Sequence, residues 1–445
     1  MKNYDAIIIG FGKAGKTLAN YLSLKGQKVA LIEKSNKMYG GTCINVGCIP
    51  TKSLVHSAKI CRTKEFGSFD MEKDFYQKSI VLKNELIGKL RKKNFDKLDL
   101  QENIDIYNGV GSFVDEHHIM VNNETINGEY IYINTGSKAI IPPIDGIKDT
   151  KGVYTSETLL DLDVLPKHLL ILGTGYIALE FAFYFSDFGS KVTLLQRDNV
   201  FLPNEDEDIS LTIKNLLNER NVEIIDNVNT RKVDNINNEV VVYYNDDQTI
   251  FGDALLVATG RKANTDDLNL DKIGLELLKN GGIKVDEHLQ TNIKHIYAMG
   301  DVVGDAQFTY KSLDDFRVIS SNLSGGTYLN KDRFYAYSVF IDPAFSKVGI
   351  SEKQAMEKNL DVKVFKMAVA NVPKAHVLQN PKGLMKVIVD NKTNLILGAA
   401  LLCEESFELI NMVKLVMDNQ LPYTVLRDQI YTHPTMSEAF NDLLG

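Results

Sequence analysis

The sequence predicts an α/β protein with two strand–glycine loop–helix units in tandem and a separate α/β domain at its C-terminal end. Three observations carry this. A glycine turn follows a short apolar strand twice, at Gly10-Phe11-Gly12-Lys13-Ala14-Gly15 and at Gly173-Thr174-Gly175-Tyr176-Ile177-Ala178. Each turn opens a helical stretch that leads to a second apolar strand. After Pro142-Pro143, read as a linker, and a run of further strands, residues 335–445 carry their own set of strands and helices.

Length and composition fit this picture. The chain has 445 residues, enough for roughly two to four domains. Apolar residues make up 44% and charged residues 24%, the balance of an ordinary globular protein. A net charge of −8 argues against nucleic acid or an anionic membrane as partner. The lysines between Lys83 and Lys97 alternate with acids and apolar residues and read as a solvated helix face. Met1–Asp5 runs straight into Ala6–Ile9 without a leader pattern, and Leu169–Phe185 is interrupted by Gly173, Gly175 and Glu180. A cytoplasmic protein without a membrane span is expected. The four cysteines, Cys43, Cys48, Cys61 and Cys403, form neither a secreted disulfide framework nor a zinc-type spacing, so no metal ligands are assigned.

The first unit runs from a strand at Asp5–Ile9 through a helix to Leu24 and a strand at Gln27–Glu33. Gly10 makes the tight turn, Gly12 lets the backbone approach a pyrophosphate and Gly15 lets helix and strand pack closely. Glu33 is placed to hold ribose hydroxyls, and the helix N-terminus to receive phosphates. This is the Rossmann-like dinucleotide pattern. Gly10–Thr17 also matches P-loop spacing, with Lys16 on the phosphates, but that reading leaves Gly12 and Glu33 without a purpose.

Next comes Gly40-Gly41-Thr42-Cys43-Ile44-Asn45-Val46-Gly47-Cys48-Ile49-Pro50-Thr51-Lys52. Cys43 and Cys48 are about one helical turn apart and can close a small disulfide ring if the backbone opens slightly. So small a ring is a poor staple and a reasonable redox couple, although two buried free thiols would be the ordinary outcome. Helices are expected to Lys64 and over Met71–Leu98, then short strands ending in Asn134-Thr135-Gly136, where Gly136 lets a ligand approach.

The second unit has strands at Leu169–Leu172 and Lys191–Leu195 around a helix to Phe188. Two dinucleotide units suit a flavin and a nicotinamide, donor and acceptor of one hydride transfer. Where the first unit ends on an acid, the second ends on Gln196-Arg197. Arg197 can pair with a 2′-phosphate, which favours NADPH. Further along, Thr259-Gly260-Arg261 and Met299-Gly300-Asp301 close strands, with Asp301 placed for a polar ligand chain and a helix expected from Ser312. In the last domain, His433 stands five residues before Glu438 across Pro434, an arrangement suited to a general acid/base and its orienting carboxylate.

Over its whole length the chain resembles the class I pyridine nucleotide–disulfide oxidoreductases, which include glutathione reductase, lipoamide dehydrogenase and mercuric reductase. The resemblance rests on Gly10–Gly15 with Glu33, Gly41–Cys48 with Pro50 and Lys52, Gly173–Glu180, Thr259-Gly260-Arg261, Gly300-Asp301 and His433–Glu438. Met38–Cys43, Phe308-Thr309-Tyr310 with Leu313-Asp314-Asp315, and Leu426–Ile430 point to its RclA-like, reactive-chlorine-resistance branch, which is similar to hypothiocyanous acid reductases.

This resemblance implies a glutathione reductase-like fold. It has an FAD-binding domain in two parts, 1–145 and 266–334, an NAD(P)H-binding domain at 146–265 and a dimerisation domain at 335–445. It implies FAD held by Gly10, Gly12, Gly15, Glu33, Gly41, Thr42, Lys52, Thr135, Gly136, Gly300 and Asp301. NADPH is then held by Gly173, Gly175, Tyr176, Ile177, Arg197 and Gly260. Cys48 faces the flavin, Cys43 meets the substrate, and Lys52 pairs with Glu180 near the flavin. His433, oriented by Glu438, reaches Cys43 of the other subunit, so a homodimer is required. Three departures qualify this. Leu202-Pro203 stands where NADPH-specific relatives place a second arginine, so NADH is a possible donor. There is no C-terminal cysteine pair of the mercuric reductase kind. Phe308 and Tyr310 add bulk beside the cysteines. The expected reaction is therefore reduction of a small oxidant, hypothiocyanous acid, to thiocyanate. The alternatives are a low-molecular-weight disulfide reductase (glutathione or dihydrolipoamide type) and a Cu(II) or Hg(II) reductase.

Overall fold

The computed structural model of the chain describes residues 1–64 and 66–445. Its first sheet has seven strands, and their order shows how the chain returns to its own start. Lys2–Ile9 lies between Val29–Glu33 and Glu124–Ile133, parallel to both. Its last four residues are buried apolar side chains, as a strand covered on both faces requires. Ile296–Ala298, far downstream, adds in parallel to Glu124–Ile133. That pairing brings Gly300 and Asp301 to the same sheet end as Gly10.

The second sheet is a parallel set of five strands in the order Glu223–Ile225, Lys191–Leu195, His168–Leu172, Ala254–Val257 and Val153–Thr155. The helix Tyr176–Asp187 packs beside it, with most of its side chains buried. An antiparallel three-stranded sheet, Thr230–Ile236, Glu239–Tyr244 and Gln248–Gly252, lies between its last two segments in sequence. A two-stranded ladder, Ser137–Ala139 with Arg261–Ala263, joins the two dinucleotide units. The C-terminal sheet, the third of the large ones and called the third sheet below, is antiparallel, has five strands and runs from Tyr337–Val339 to Val362–Ala368.

One hydrophobic core crosses these boundaries. Leu54 and Ala58, on the helix Cys48–Lys64, pack in the same cluster as Phe181 and Phe185 of the second unit and Val339 and Leu402 of the third sheet. The helix that begins at Cys48 is thus fixed by apolar contacts to all three parts of the molecule.

The structure departs from the sequence reading chiefly along the long helix and at the helix expected from Ser312. The helix expected over Met71–Leu98 spans Phe69–Asp99, and Lys83 within it is not on a solvated face. Its side chain is buried and its ammonium donates to the Leu160 carbonyl. The helix expected from Ser312 begins at Thr309. Between the cysteines the backbone is opened, as closing a small ring there requires. Cys43 sits in the short helix Thr42–Asn45 and Cys48 starts the next, with Val46-Gly47 between them.

Candidate active site

The glycine loops of both units open into a single cavity of about 1760 Å³. Pockets for one drug-sized ligand span roughly 300–1,000 Å³, so this volume suits more than one large ligand. Gly10, Gly12, Glu33, Gly41, Thr42, Thr135, Gly136 and Asp301 line it from the first unit, and Gly173, Gly175, Tyr176, Ile177, Arg197 and Gly260 from the second. Cys43, Cys48, Lys52 and Glu180 line it as well. Gly15 and Gly300 lie just behind the lining, and His433 and Glu438 lie away from it.

The first loop is a cradle that only glycine fits. A Cβ on Gly12 would come within 2.5 Å of Asn134 Oδ1, an atom that accepts the Gly15 N–H at 3.0 Å. Gly41, at φ 81°, lets the cysteine segment lie on this loop, since a Cβ there would sit 2.7 Å from Gly12 Cα. Glu33 ends its strand buried and accepts the Phe11 N–H at 3.0 Å. Burial pushes its carboxyl up, and backbone N–H groups pull against that. Asp301 accepts from Ser137 Oγ at 2.8 Å. Lys16, which a P-loop would aim at phosphates, instead donates to Asn94 Oδ1 of the long helix at 2.5 Å. Burial there lowers its pKa to about 8.

The cysteine segment is held from below. Asn45 donates to the Tyr39 and Gly41 carbonyls and accepts from Arg91 Nε at 2.8 Å. All four cysteines are thiols, with Cys61 and Cys403 buried. Cys48 Sγ lies 3.7 Å from Thr309 Oγ1. The two thiols of the segment differ. Cys48 is exposed to the cavity and is pulled down to about 6, first by a hydrogen bond from Cys43 and then by Thr309 and Lys52. Cys43 is pushed up by that same bond and by burial.

Lys52 lies one turn after Cys48 on the same helix, so both face the cavity. Its ammonium donates to both oxygens of Glu180, at 2.8 and 2.7 Å, and lies 4.7 Å from the centre of the Phe340 ring. Glu180 also accepts the Phe340 N–H at 2.8 Å. Phe340 carries no local sequence signal; only the fold brings it here. Arg197 is 85% exposed and faces the Asp198 carboxylate at 3.4 Å. His433 Nδ1 and Glu438 Oε2 are 2.8 Å apart, and the imidazole is 71% exposed. The hydrogen bond from His433 lowers the Glu438 pKa. Among the described residues, no three His, Cys, Asp or Glu side chains are grouped to hold a metal ion, and no helix is long and apolar enough to cross a membrane.

A family model described as pyridine nucleotide-disulphide oxidoreductase matches residues 4–316, and one for the dimerisation domain of the same family matches residues 335–444. The chain belongs to the pyridine nucleotide-disulphide oxidoreductase family. This oxidoreductase is 48% identical to the probable pyridine nucleotide-disulfide oxidoreductase RclA of Escherichia coli (strain K12), over 100% of this chain and 99% of that one. It is 32% identical to a mercuric reductase of Staphylococcus aureus, over 98% of this chain and 81% of that one. A solved structure of E. coli RclA, described as a HOCl-induced flavoprotein disulfide reductase, superposes with a TM-score of 0.93 at 48% identity over 99% of both chains. Its Cu(II) complex gives 0.94 at 47%, over 100% of this chain and 99% of that one.

Membership implies a flavin and a nicotinamide cofactor, and the residues fit them. The Gly12 cradle, the buried Glu33 and the shared cavity suit a flavin dinucleotide against the first loop. The second loop, with Tyr176 at the start of its helix, suits the nicotinamide dinucleotide.

Proposed function

We propose that this oxidoreductase takes electrons from NADPH, or less readily NADH, through FAD to the Cys43–Cys48 pair, and reduces hypothiocyanous acid to thiocyanate. The observation that carries the reading is that Cys43 and Cys48, five residues apart, both line the cavity shared by the two glycine loops, next to the Lys52–Glu180 bridge.

When bound, the flavin supplies hydride acceptance from the nicotinamide and two-electron reduction of the disulfide. Lys52 supplies positive charge on the flavin side, held in place by Glu180. Cys48, the more acidic thiol, holds the thiolate. Cys43 is deprotonated by the partner subunit's His433 and attacks the sulfur of HOSCN. A Cys43–SCN bond forms, the S–OH bond breaks, and the proton held by that imidazole leaves with hydroxide as water. The Cys48 thiolate then attacks the Cys43 sulfur, thiocyanate departs with the electron pair, and the disulfide is restored. Glu438 orients the imidazole in this scheme. The working unit is a homodimer, and the exposure of His433 away from its own chain's cavity supports this.

A small substrate is favoured by the aromatic cover. Phe308 and Tyr310 stack with ring centres 5.0 Å apart in the cavity wall on either side of Thr309, which contacts Cys48. With Cys61 and Cys403 buried, Cys43 and Cys48 are the thiols open to substrate. Steady-state NADPH oxidation against hypothiocyanous acid, oxidised glutathione, lipoamide, Hg²⁺ and Cu²⁺ tests the reading. Hypothiocyanous acid is expected to turn over fastest, and oxidised glutathione turning over as fast would overturn the substrate assignment.

A further inference from the structure

The strand Glu124–Ile133 lies between two parallel neighbours, and each neighbour runs on into a glycine turn. Lys2–Ile9 leads to Gly10, and Ile296–Ala298 leads to Gly300. The first residue after the middle strand is Asn134, which is 5% exposed. Its amide reaches both turns. Oδ1 accepts the Gly15 N–H at 3.0 Å, and Nδ2 donates to the Met299 carbonyl at 2.6 Å. Both partners are backbone groups of fixed polarity, so the amide has one orientation. The turns close onto it. A Cβ on Gly12 would lie 2.5 Å from Oδ1, and one on Gly300, at φ 77°, would lie 2.8 Å from Nδ2. Asp315, paired with the buried Lys311, holds the second turn from another side by accepting the Gly300 N–H at 2.7 Å.

We propose that Asn134 is a positioning residue for the flavin dinucleotide. Its amide locks the first glycine loop to the Gly300 turn, so the pyrophosphate and ribityl ends of one FAD are held at a fixed separation. Without the amide, the Gly15 N–H and the Met299 carbonyl lose their partner and the two turns shift independently. A ligand that touches both turns then loses affinity. One that touches the first loop alone loses little.

The proposal rests on the reading that FAD runs from the first loop to Asp301, and ADP separates the two ideas. ADP carries the adenosine and the pyrophosphate but no ribityl chain. Wild-type, Asn134→Ala and Asn134→Asp holoenzymes are diluted, FAD release is read by its fluorescence, and ADP is added as competitor. Alanine should weaken FAD about tenfold at every pH, the scale of one or two lost hydrogen bonds, and ADP by less than about twofold. Aspartate adds a second readout. A protonated carboxyl has the donor and acceptor of the amide, an ionised one has no donor, and burial favours the protonated form. The charged groups on the surrounding elements are Lys13 and Lys16 on the first helix, Asp301, and the Lys311–Asp315 pair. Aspartate should therefore hold FAD as wild type does near pH 5 and release it as pH rises toward about 8. Alanine with wild-type FAD affinity, or with equal losses for FAD and ADP, overturns the role of Asn134. Aspartate whose FAD affinity follows pH no more than wild type overturns the hydrogen-bonding account. A wild type in which ADP does not compete with FAD overturns the placement of the flavin on the first loop.

Discussion

Replacing Lys52 by methionine leaves Glu180 as a carboxylate with one donor, the Phe340 N–H, in a site where its side chain is only 10% exposed. Breaking a fully buried pair costs roughly 3–5 kcal/mol, mostly from the stranded charge. Lys52 is 30% exposed, so water reaches part of this pair and about 3 kcal/mol is the reasonable figure. For an unfolding unit of roughly 150–250 residues around Lys52, each kcal/mol moves the melting temperature by about 2–4 °C, which gives a fall of about 6–12 °C. The double variant Lys52→Met/Glu180→Leu removes both charges and fills the space with apolar atoms next to Phe181 and Leu54 of the shared core. Replacement of a whole buried pair by apolar groups is often neutral, so its melting point should return to within about 3 °C of wild type. Turnover should be lost in both, because the positive charge beside Cys48 is gone in both. Thermal unfolding of the two flavin-loaded variants is the assay. A Lys52→Met protein as stable as wild type, or a double variant less stable than the single one, would refute the reasoning.

Two further outcomes follow from the same geometry. Cys43→Ser should still accept electrons from NADPH into its flavin in a single stopped-flow phase, while steady-state reduction of any oxidant falls to background; sustained turnover would exclude Cys43 as the attacking thiol. Arg197→Ala should raise KM for NADPH about tenfold, the effect of one charge-assisted hydrogen bond, and leave KM for NADH unchanged. Equal changes for both nucleotides would mean that the exposed Arg197 contacts no 2′-phosphate.

The parts legible in sequence were those with local rules. The Gly10 and Gly173 turns, their strands and helices, and the family itself follow from residue types at fixed spacing. The Lys52–Glu180 contact is legible only through resemblance, since nothing within either helix says that residues 128 positions apart meet. Phe340, Arg91 and Thr309 were not assigned roles for the same reason: each acts through a tertiary contact made by a helix or strand from another part of the chain. No side-chain cap marks the start of the Thr309 helix in sequence; Phe308 supplies only an extended backbone and a stacked ring. Lys83 misled because periodicity places a residue on a helix face but does not say what covers that face. Here the end of the short helix Ser156–Leu159 covers it, offering the Leu160 carbonyl.

The position of His433 allows a test that does not depend on knowing the oxidant. If the imidazole serves the Cys43 of the other subunit, each site is built from two chains. Subunits carrying Cys43→Ser and subunits carrying His433→Gln are each inactive as homodimers. In a mixed dimer, one site receives both lesions and the other receives none. Random exchange of equal amounts makes about half the dimers mixed, each with one intact site of two, so activity should recover to about a quarter of wild type. If His433 instead served Cys43 of its own chain, every site in the mixed dimer would carry one lesion and no activity would return. His433→Gln suits this test because an amide nitrogen can still donate toward Glu438, 2.8 Å from Nδ1 in the parent, and keep the loop in place. Recovery by mixing would therefore report shared chemistry across the dimer rather than repair of a misfolded loop.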